Sequence, residues 1–230
     1  MTEEHQKAET GRRGPPTLQP PLQGEWIVLP TPGHPPYVLD LAAAPDGRLL
    51  KAGRWRALLG RAEAATSWTW GRPVFAPAAG RVVSVGDGWP DRARFNVVVD
   101  GLRMAWFPPG PATDLRSRAG NHVIIEAREF AGWVGLFHLQ DRRVCVRAGE
   151  DVVPGQLVGY IGLSGRSVLP HLHFQVTNGP DLRRSAYLPW SMEVYDRWES
   201  GRWRRVDGQA PRKGERVRFP LTKAAAPRGR

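Results

Sequence analysis

Two histidines stand one residue apart in the run Leu169-Pro170-His171-Leu172-His173-Phe174-Gln175-Val176. A spacing of two is the side-chain repeat of a β-strand, so both imidazoles leave the same face of a sheet. A neutral imidazole ligates zinc and also transfers protons, and two on one face can divide those tasks. The alternative is a strand with two hydrogen-bonded, partly buried histidines, and the pair alone does not choose between them. His138 closes the apolar run Val134-Gly135-Leu136-Phe137-His138-Leu139, where an imidazole is either a satisfied core group or a site group. Asp40 stands among Val38, Leu39 and Leu41; if buried it needs a partner or a metal, and otherwise it is a surface carboxylate. A hydrolytic zinc site takes three protein ligands, an open position for water and a group that manages protons. Asp40, His173 and one further histidine would supply the ligands, with His138 and His171 near the open position. On the residues alone this is one of several combinations.

The elements that must position these groups read as short strands. The chain has 230 residues, 41% of them hydrophobic, which suffices for one substantial core and an appendage. Its 26 glycines and 22 prolines favour many strands and turns over long helices. Residues 1–23 are polar and then proline-rich, which predicts a disordered leader. Order is expected from Glu25-Trp26-Ile27-Val28-Leu29 onward, followed by a turn at Gly33 and a strand through Asp40 that Pro35 and Pro36 confine to an edge or loop. Arg54–Ala64 suggests a short helix. Pro73–Val85 reads as strand, turn at Gly80, strand, and Phe95–Val99 as a further strand before an apolar, proline-containing stretch at Met104–Pro109. Asn121–Glu126, Trp133–Leu139 and Arg143–Val146 are strand patterns, with the single cysteine, Cys145, expected as a small core side chain. One cysteine forms no internal disulfide. Two strands punctuated by turns span Ala148–Gly162, and Ser164-Gly165-Arg166-Ser167 is the loop that delivers the chain into the His171/His173 strand. Trp190–Trp198, Arg202–Val206 and Glu215–Phe219 read as closing strands whose aromatics pack the core. No helix–strand alternation calls for a doubly wound sheet, so the expected class is all-β, a compact antiparallel core with long loops and a small C-terminal β extension.

Several of these segments, in order, resemble one family. Pro73–Val82, Gly120-Asn121-His122-Val123-Ile124-Ile125, Phe137-His138-Leu139, Gly155-Gln156-Leu157-Val158-Gly159, Gly162-Leu163-Ser164-Gly165 and Pro170-His171-Leu172-His173-Phe174 are similar to the LytM/lysostaphin-type zinc metalloendopeptidases, peptidase family M23, with its duplicated-hybrid-motif-like fold. The resemblance covers roughly residues 26–190. It implies a peptidase domain at 24–196, a basic extension at 197–230, Zn²⁺ as cofactor, His173 and Asp40 as metal ligands, and His138 and His171 as catalytic histidines. The third ligand should precede Asp40. The familiar spacing of four falls on Pro36, so the resemblance points to His34, six residues ahead with Tyr37 between, as in branches with the longer spacing. His122 falls on a variable position and is expected to be structural or on the surface. The implied reaction is zinc-assisted hydrolysis of peptide bonds in peptidoglycan stem peptides or cross-bridges, or in another peptide substrate; a catalytically inactive relative that binds or regulates through the same cleft is the alternative.

The net charge of +11 invites a nucleic-acid reading, and its distribution answers it. Residues 197–230 hold 11 Lys/Arg against 3 Asp/Glu, a net of +8, which leaves +3 for the other 196 residues. Such a tail suits contact with an anionic polymer. No recognition helix, zinc-finger spacing or basic–aromatic interleaving supports specific nucleic-acid binding. No apolar run is long enough to span a bilayer, so no transmembrane segment is expected. The resemblance implies work at the cell envelope or outside the cell, whereas the start Met1-Thr2-Glu3-Glu4-His5 is not a basic-then-apolar secretory signal and leaves the cytoplasm open.

Overall fold

The computed structural model of the chain describes residues 14–51, 62–106, 115–181 and 184–221. In chain order its elements are β1 (Thr17–Leu18), β2 (Gly24–Val28), β3 (Leu39–Ala43), β4 (Ala62–Glu63), β5 (Pro73–Phe75), β6 (Gly80–Gly86), β7 (Arg94–Phe95), α1 (Val97–Trp106) and α2 (Leu115–Ala119). There follow β8 (Asn121–Ala127), β9 (Trp133–Leu139), β10 (Asp151–Val152), β11 (Leu157–Tyr160), β12 (Leu172–Thr177), β13 (Ser191–Glu199), β14 (Arg202–Gln209) and β15 (Arg216–Phe219). One large sheet runs β1-β13-β15-β2-β3-β12-β9-β8-β6-β10, with β14 attached to β13; β11–β5 and β4–β7 form two small sheets. Among the described residues every strand pairing is antiparallel except β1 on β13, so the expected all-β class is what the chain adopts.

Alternation along the central strands separates core from site. Leu39 and Leu41 of β3, Leu172, Phe174 and Val176 of β12, and Val134 and Leu136 of β9 fill the main core, together with Trp26, Trp190 and Tyr195. The intervening residues Asp40, His173 and Gln175 are therefore turned to the opposite face. Trp190 ties the two sides of the site-bearing strands: its ring meets Phe174 edge-on at 4.8 Å, and its Nε1 donates to the carbonyl of Tyr37 at 2.9 Å, bracing the loop that carries His34.

Five expectations are corrected. The strand through Asp40 is not at an edge, because Pro35 and Pro36 lie in the loop before it and β3 runs between β2 and β12. The expected leader reaches into the fold, because Leu18 and Leu22 are fully buried and β1 pairs in parallel with β13; only residues 1–13 lie outside the described ones. The strand expected through Val99 stops at Phe95, and Val97–Trp106 is a helix despite its valines. Capping decides this: Asn96 Oδ1 accepts from the backbone N–H of Val98 and Val99 at 3.1 and 3.0 Å, while Asp100 Oδ2 accepts from that of Asn96 at 3.0 Å. Arg143–Val146 is not a strand, and Cys145 is exposed; the segment is tied by Cys145 N–H to the carbonyl of Val158 at 2.9 Å and by Arg143 N–H to that of Gln140 at 3.1 Å. Gly80 is not a turn but the first residue of β6, where a Cβ would stand 2.2 Å from the Glu126 carbonyl oxygen. The helix expected over Arg54–Ala64 lies mostly outside the described residues, as does the end of the Met104–Pro109 stretch.

Candidate metal centre

The site is assembled on three neighbouring strands. Asp40 on β3 and His173 on β12 are direct cross-strand partners, and His173 also faces Phe137 on β9. Directly opposed residues share a face, so carboxylate and imidazole meet: His173 Nδ1 lies 2.7 Å from Asp40 Oδ1. His171 sits just before β12, its Nε2 3.4 Å from the same oxygen. His34, on the loop entering β3, places Nδ1 3.3 Å from Asp40 Oδ2. Strict alternation would send His138 away from the face that Phe137 occupies. Its backbone instead turns left-handed, with φ 60°, and brings the ring centroid to 4.7 Å from that of His171 and 6.0 Å from that of His173. A non-glycine residue in this region costs on the order of 1–3 kcal/mol, which the surrounding packing must hold in place.

All five residues expected from the sequence thus converge. Two sets of potential ligand atoms each lie within 4.8 Å of one another: His34, Asp40 and His173, and His138, His171 and His173. Asp40 is 4% exposed, which removes the surface-carboxylate alternative. Burial by itself raises its pKa; the charge of His171 and the close approach of the His171, His173 and His34 rings outweigh that and hold the carboxyl well below the usual range. Burial also acts on His138, with the charges of His171 and His173, to lower its pKa well below the ordinary imidazole value. For His171 burial pulls downward, but the adjacent Asp40 charge and hydrogen bond reverse the direction and raise it. His138 is therefore kept neutral beside an imidazole that takes a proton more readily.

The supporting contacts were not read from the sequence. Ser164 and Ser167, noted there only as loop residues, hold the histidines from behind: His138 Nδ1 lies 2.9 Å from the Ser164 carbonyl, and His171 Nδ1 lies 2.8 Å from the Leu169 carbonyl and 3.0 Å from Ser167 Oγ. Thr31 Oγ1 donates to Asp40 Oδ2 at 2.5 Å. Lys213 Nζ donates to the His34 and Thr31 carbonyls at 2.5 and 3.2 Å, so the C-terminal part of the chain grips the loop that carries His34. Gln175 Oε1 lies 3.0 Å from His173 Nε2. That last residue was within reach of sequence reasoning, since it continues the period-two face of His171 and His173. His122 belongs to neither set: it is buried against Gly86, with Nδ1 2.9 Å from the Gly120 carbonyl and Nε2 3.3 Å from Ser84 Oγ.

The donor set fits a cation. His173 stands between two acceptors, with Nδ1 2.7 Å from Asp40 Oδ1 and Nε2 3.0 Å from Gln175 Oε1. His34 Nδ1 is buried without a hydrogen-bond partner and points toward the same carboxylate. Two imidazole nitrogens and a carboxylate oxygen converging on one point are a donor set that a zinc ion takes.

Comparison with known proteins follows this geometry. Residues 111–184 match peptidase family M23, a segment that holds His138, His171 and His173 and begins after His34 and Asp40. The resemblance to M23 peptidases seen in the sequence is thus a finding over that segment. No curated protein sequence matches the chain. Among solved structures, a candidate M23 peptidase of Pseudomonas aeruginosa is 22% identical, with 75% of this chain and 54% of that one covered and a TM-score of 0.39. The chain therefore spans about half the length of that protein. The catalytic domain of the antimicrobial peptidase lysostaphin from Staphylococcus simulans is 18% identical over 79% of this chain and 92% of that one, with a TM-score of 0.39. A zinc-containing peptidase from Vibrio cholerae is 20% identical over 77% and 40%, with a TM-score of 0.37.

Proposed function

We propose that this chain is a zinc-dependent endopeptidase in which His34, Asp40 and His173 hold the metal, and His138 and His171 manage protons. The observation that carries the reading is the convergence of a buried, unpartnered His34 Nδ1, a buried carboxylate and His173 Nδ1 on one point, with two further imidazoles alongside. When bound, zinc supplies Lewis acidity toward a scissile carbonyl and lowers the pKa of a coordinated water. The residues of the chain do the rest. Hydrogen bonds to the Ser164 and Leu169 carbonyls place the N–H of His138 and His171 on Nδ1, which leaves Nε2 of each as the nitrogen that gains or loses a proton. One Nε2 accepts a proton from the attacking water, and the other, already protonated, steadies the developing oxyanion or gives its own proton to the leaving amine. His171, whose Nε2 also faces Asp40, suits the protonated role, and neutral His138 the accepting one.

The family resemblance supports a peptide substrate, and within that class the peptides of peptidoglycan. The test is incubation of the full chain with a panel of cross-linked and linear peptidoglycan peptides, followed by product masses with and without a chelator. The reading expects a mass gain of one water across a peptide bond, abolished by chelation and restored by zinc. Intact peptides in the presence of bound zinc would transfer support to an inactive, binding relative.

A further inference from the structure

A cavity of about 230 Å³ lies against the loop that holds both proton-managing histidines, lined by Arg92, Asp100, Arg103, Gly165, Arg166 and Ser167. Pockets that enclose whole ligands measure roughly 300–1,000 Å³, so this one is the size for a single side chain. Three guanidinium groups face one carboxylate in its lining. That carboxylate is already engaged: Asp100 Oδ1 lies 2.8 Å from Arg92 Nη1, and Arg92 Nη2 also donates to the Ser167 carbonyl. Arg103 projects from the exposed side of α1 and forms no ion pair with any described residue. Among the described residues the lining thus offers Arg103 no free carboxylate. Its floor is not remote from the chemistry. In the loop from Ser164 to Ser167, the first residue accepts from His138 and the last contacts His171, while Gly165, Arg166 and Ser167 face the cavity.

We propose that this cavity is a specificity subsite for a carboxylate borne by the peptide substrate, with Arg103 as its principal contact. The proposal rests on the peptidase reading and deepens it: the preferred substrate carries an acidic group close to the scissile bond. A guanidinium presents paired N–H donors that match a carboxylate, and Arg103 has them uncommitted among the described residues.

The test uses the zinc-loaded full chain and blocked, glycine-containing peptides that differ only in Glu or Gln at one position, moved in turn along both sides of the glycines. At one position kcat/KM for the Glu peptide is expected to exceed that for its Gln twin by about tenfold, chiefly through KM, as suits one charge-assisted contact. Arg103→Gln should erase that preference, Arg103→Lys should retain part of it, and Arg103→Glu should invert it. Equal cleavage of the twins at every position, or a preference that survives Arg103→Glu, overturns the proposal. If no peptide is cleaved, the peptidase reading fails on its own, and the subsite is judged by equilibrium binding of the twins to the metal-free chain. Tighter binding of a Glu peptide that Arg103→Glu abolishes upholds the subsite; equal binding overturns it.

Discussion

At the scale of single residues, two kinds of histidine should part under mutation. His34→Ala removes a ligand and is expected to lower zinc affinity by at least tenfold, measured by competition with a chromophoric chelator. His138→Ala leaves His34, Asp40 and His173 intact and should retain zinc while turnover falls roughly 10²–10⁴-fold, the usual loss with a general acid or base. If His138→Ala loses zinc while His34→Ala keeps it, the second set of converging atoms, His138, His171 and His173, is the metal site. The five principal residues were legible because strand alternation and a family-like order act on local sequence. What completes them was not. Lys213 reaches the carbonyl of His34 across 179 positions of chain, and Thr31 approaches Asp40 through a turn whose shape no periodicity encodes. His138 was legible as a residue but not as a left-handed one, the feature that turns it onto the site face.

At the scale of elements, the site depends on how closely the Ser164–Ser167 loop approaches the start of β8. Gly120 has φ 65°, and a Cβ there would stand 2.4 Å from Ser164 Oγ and 2.5 Å from the Ser164 carbonyl carbon. Gly120→Ala is therefore expected to destabilise the fold by on the order of 3 kcal/mol, from backbone strain together with overpacking, readable as a lowered denaturant midpoint. Because Ser164 accepts from His138, turnover in the surviving folded fraction should also drop. A variant as stable and active as the parent would show that this loop yields freely. Strands with a continuous apolar run, such as β8 and β9, or with alternation, such as β12, could be read directly. Val97–Trp106 could not: its valines favour a strand, and side-chain capping by Asn96 and Asp100 overrides them.

At the scale of the molecule, the C-terminal strands are built into the sheet. β15 lies between β13 and β2, with Val217 and Phe219 buried. Truncation after Leu221 should leave the thermal midpoint and zinc content unchanged, whereas truncation before Arg216 opens the sheet and should abolish cooperative unfolding. Equal behaviour of the two would contradict the packing. Nor is the positive charge of this region free: Arg197, Arg204, Arg205, Arg216 and Arg218 each pair with a carboxylate. The surplus in residues 197–230, read in sequence as one basic stretch, is thus partly spent on sheet cohesion, which a charge count cannot show. Tyr195 packs on Phe219 here, and burial, then the charge of Glu215, pushes its pKa up to about 12. The fold therefore favours the neutral phenol. Between the ordinary value of 10 and about 12 the unfolded chain binds fewer protons than the folded one, so stability should fall as pH rises through that window. Tyr195→Phe should flatten this part of the profile of midpoint against pH, and an unchanged slope would place the cause elsewhere.

The most direct measurement is a zinc titration of the metal-stripped full chain at neutral pH, with peptide hydrolysis followed at each addition. The account expects activity to rise linearly and reach its plateau at one equivalent of tightly bound zinc. Failure of the chain to bind zinc, or one equivalent bound with no hydrolysis of any peptide in the panel, would contradict it.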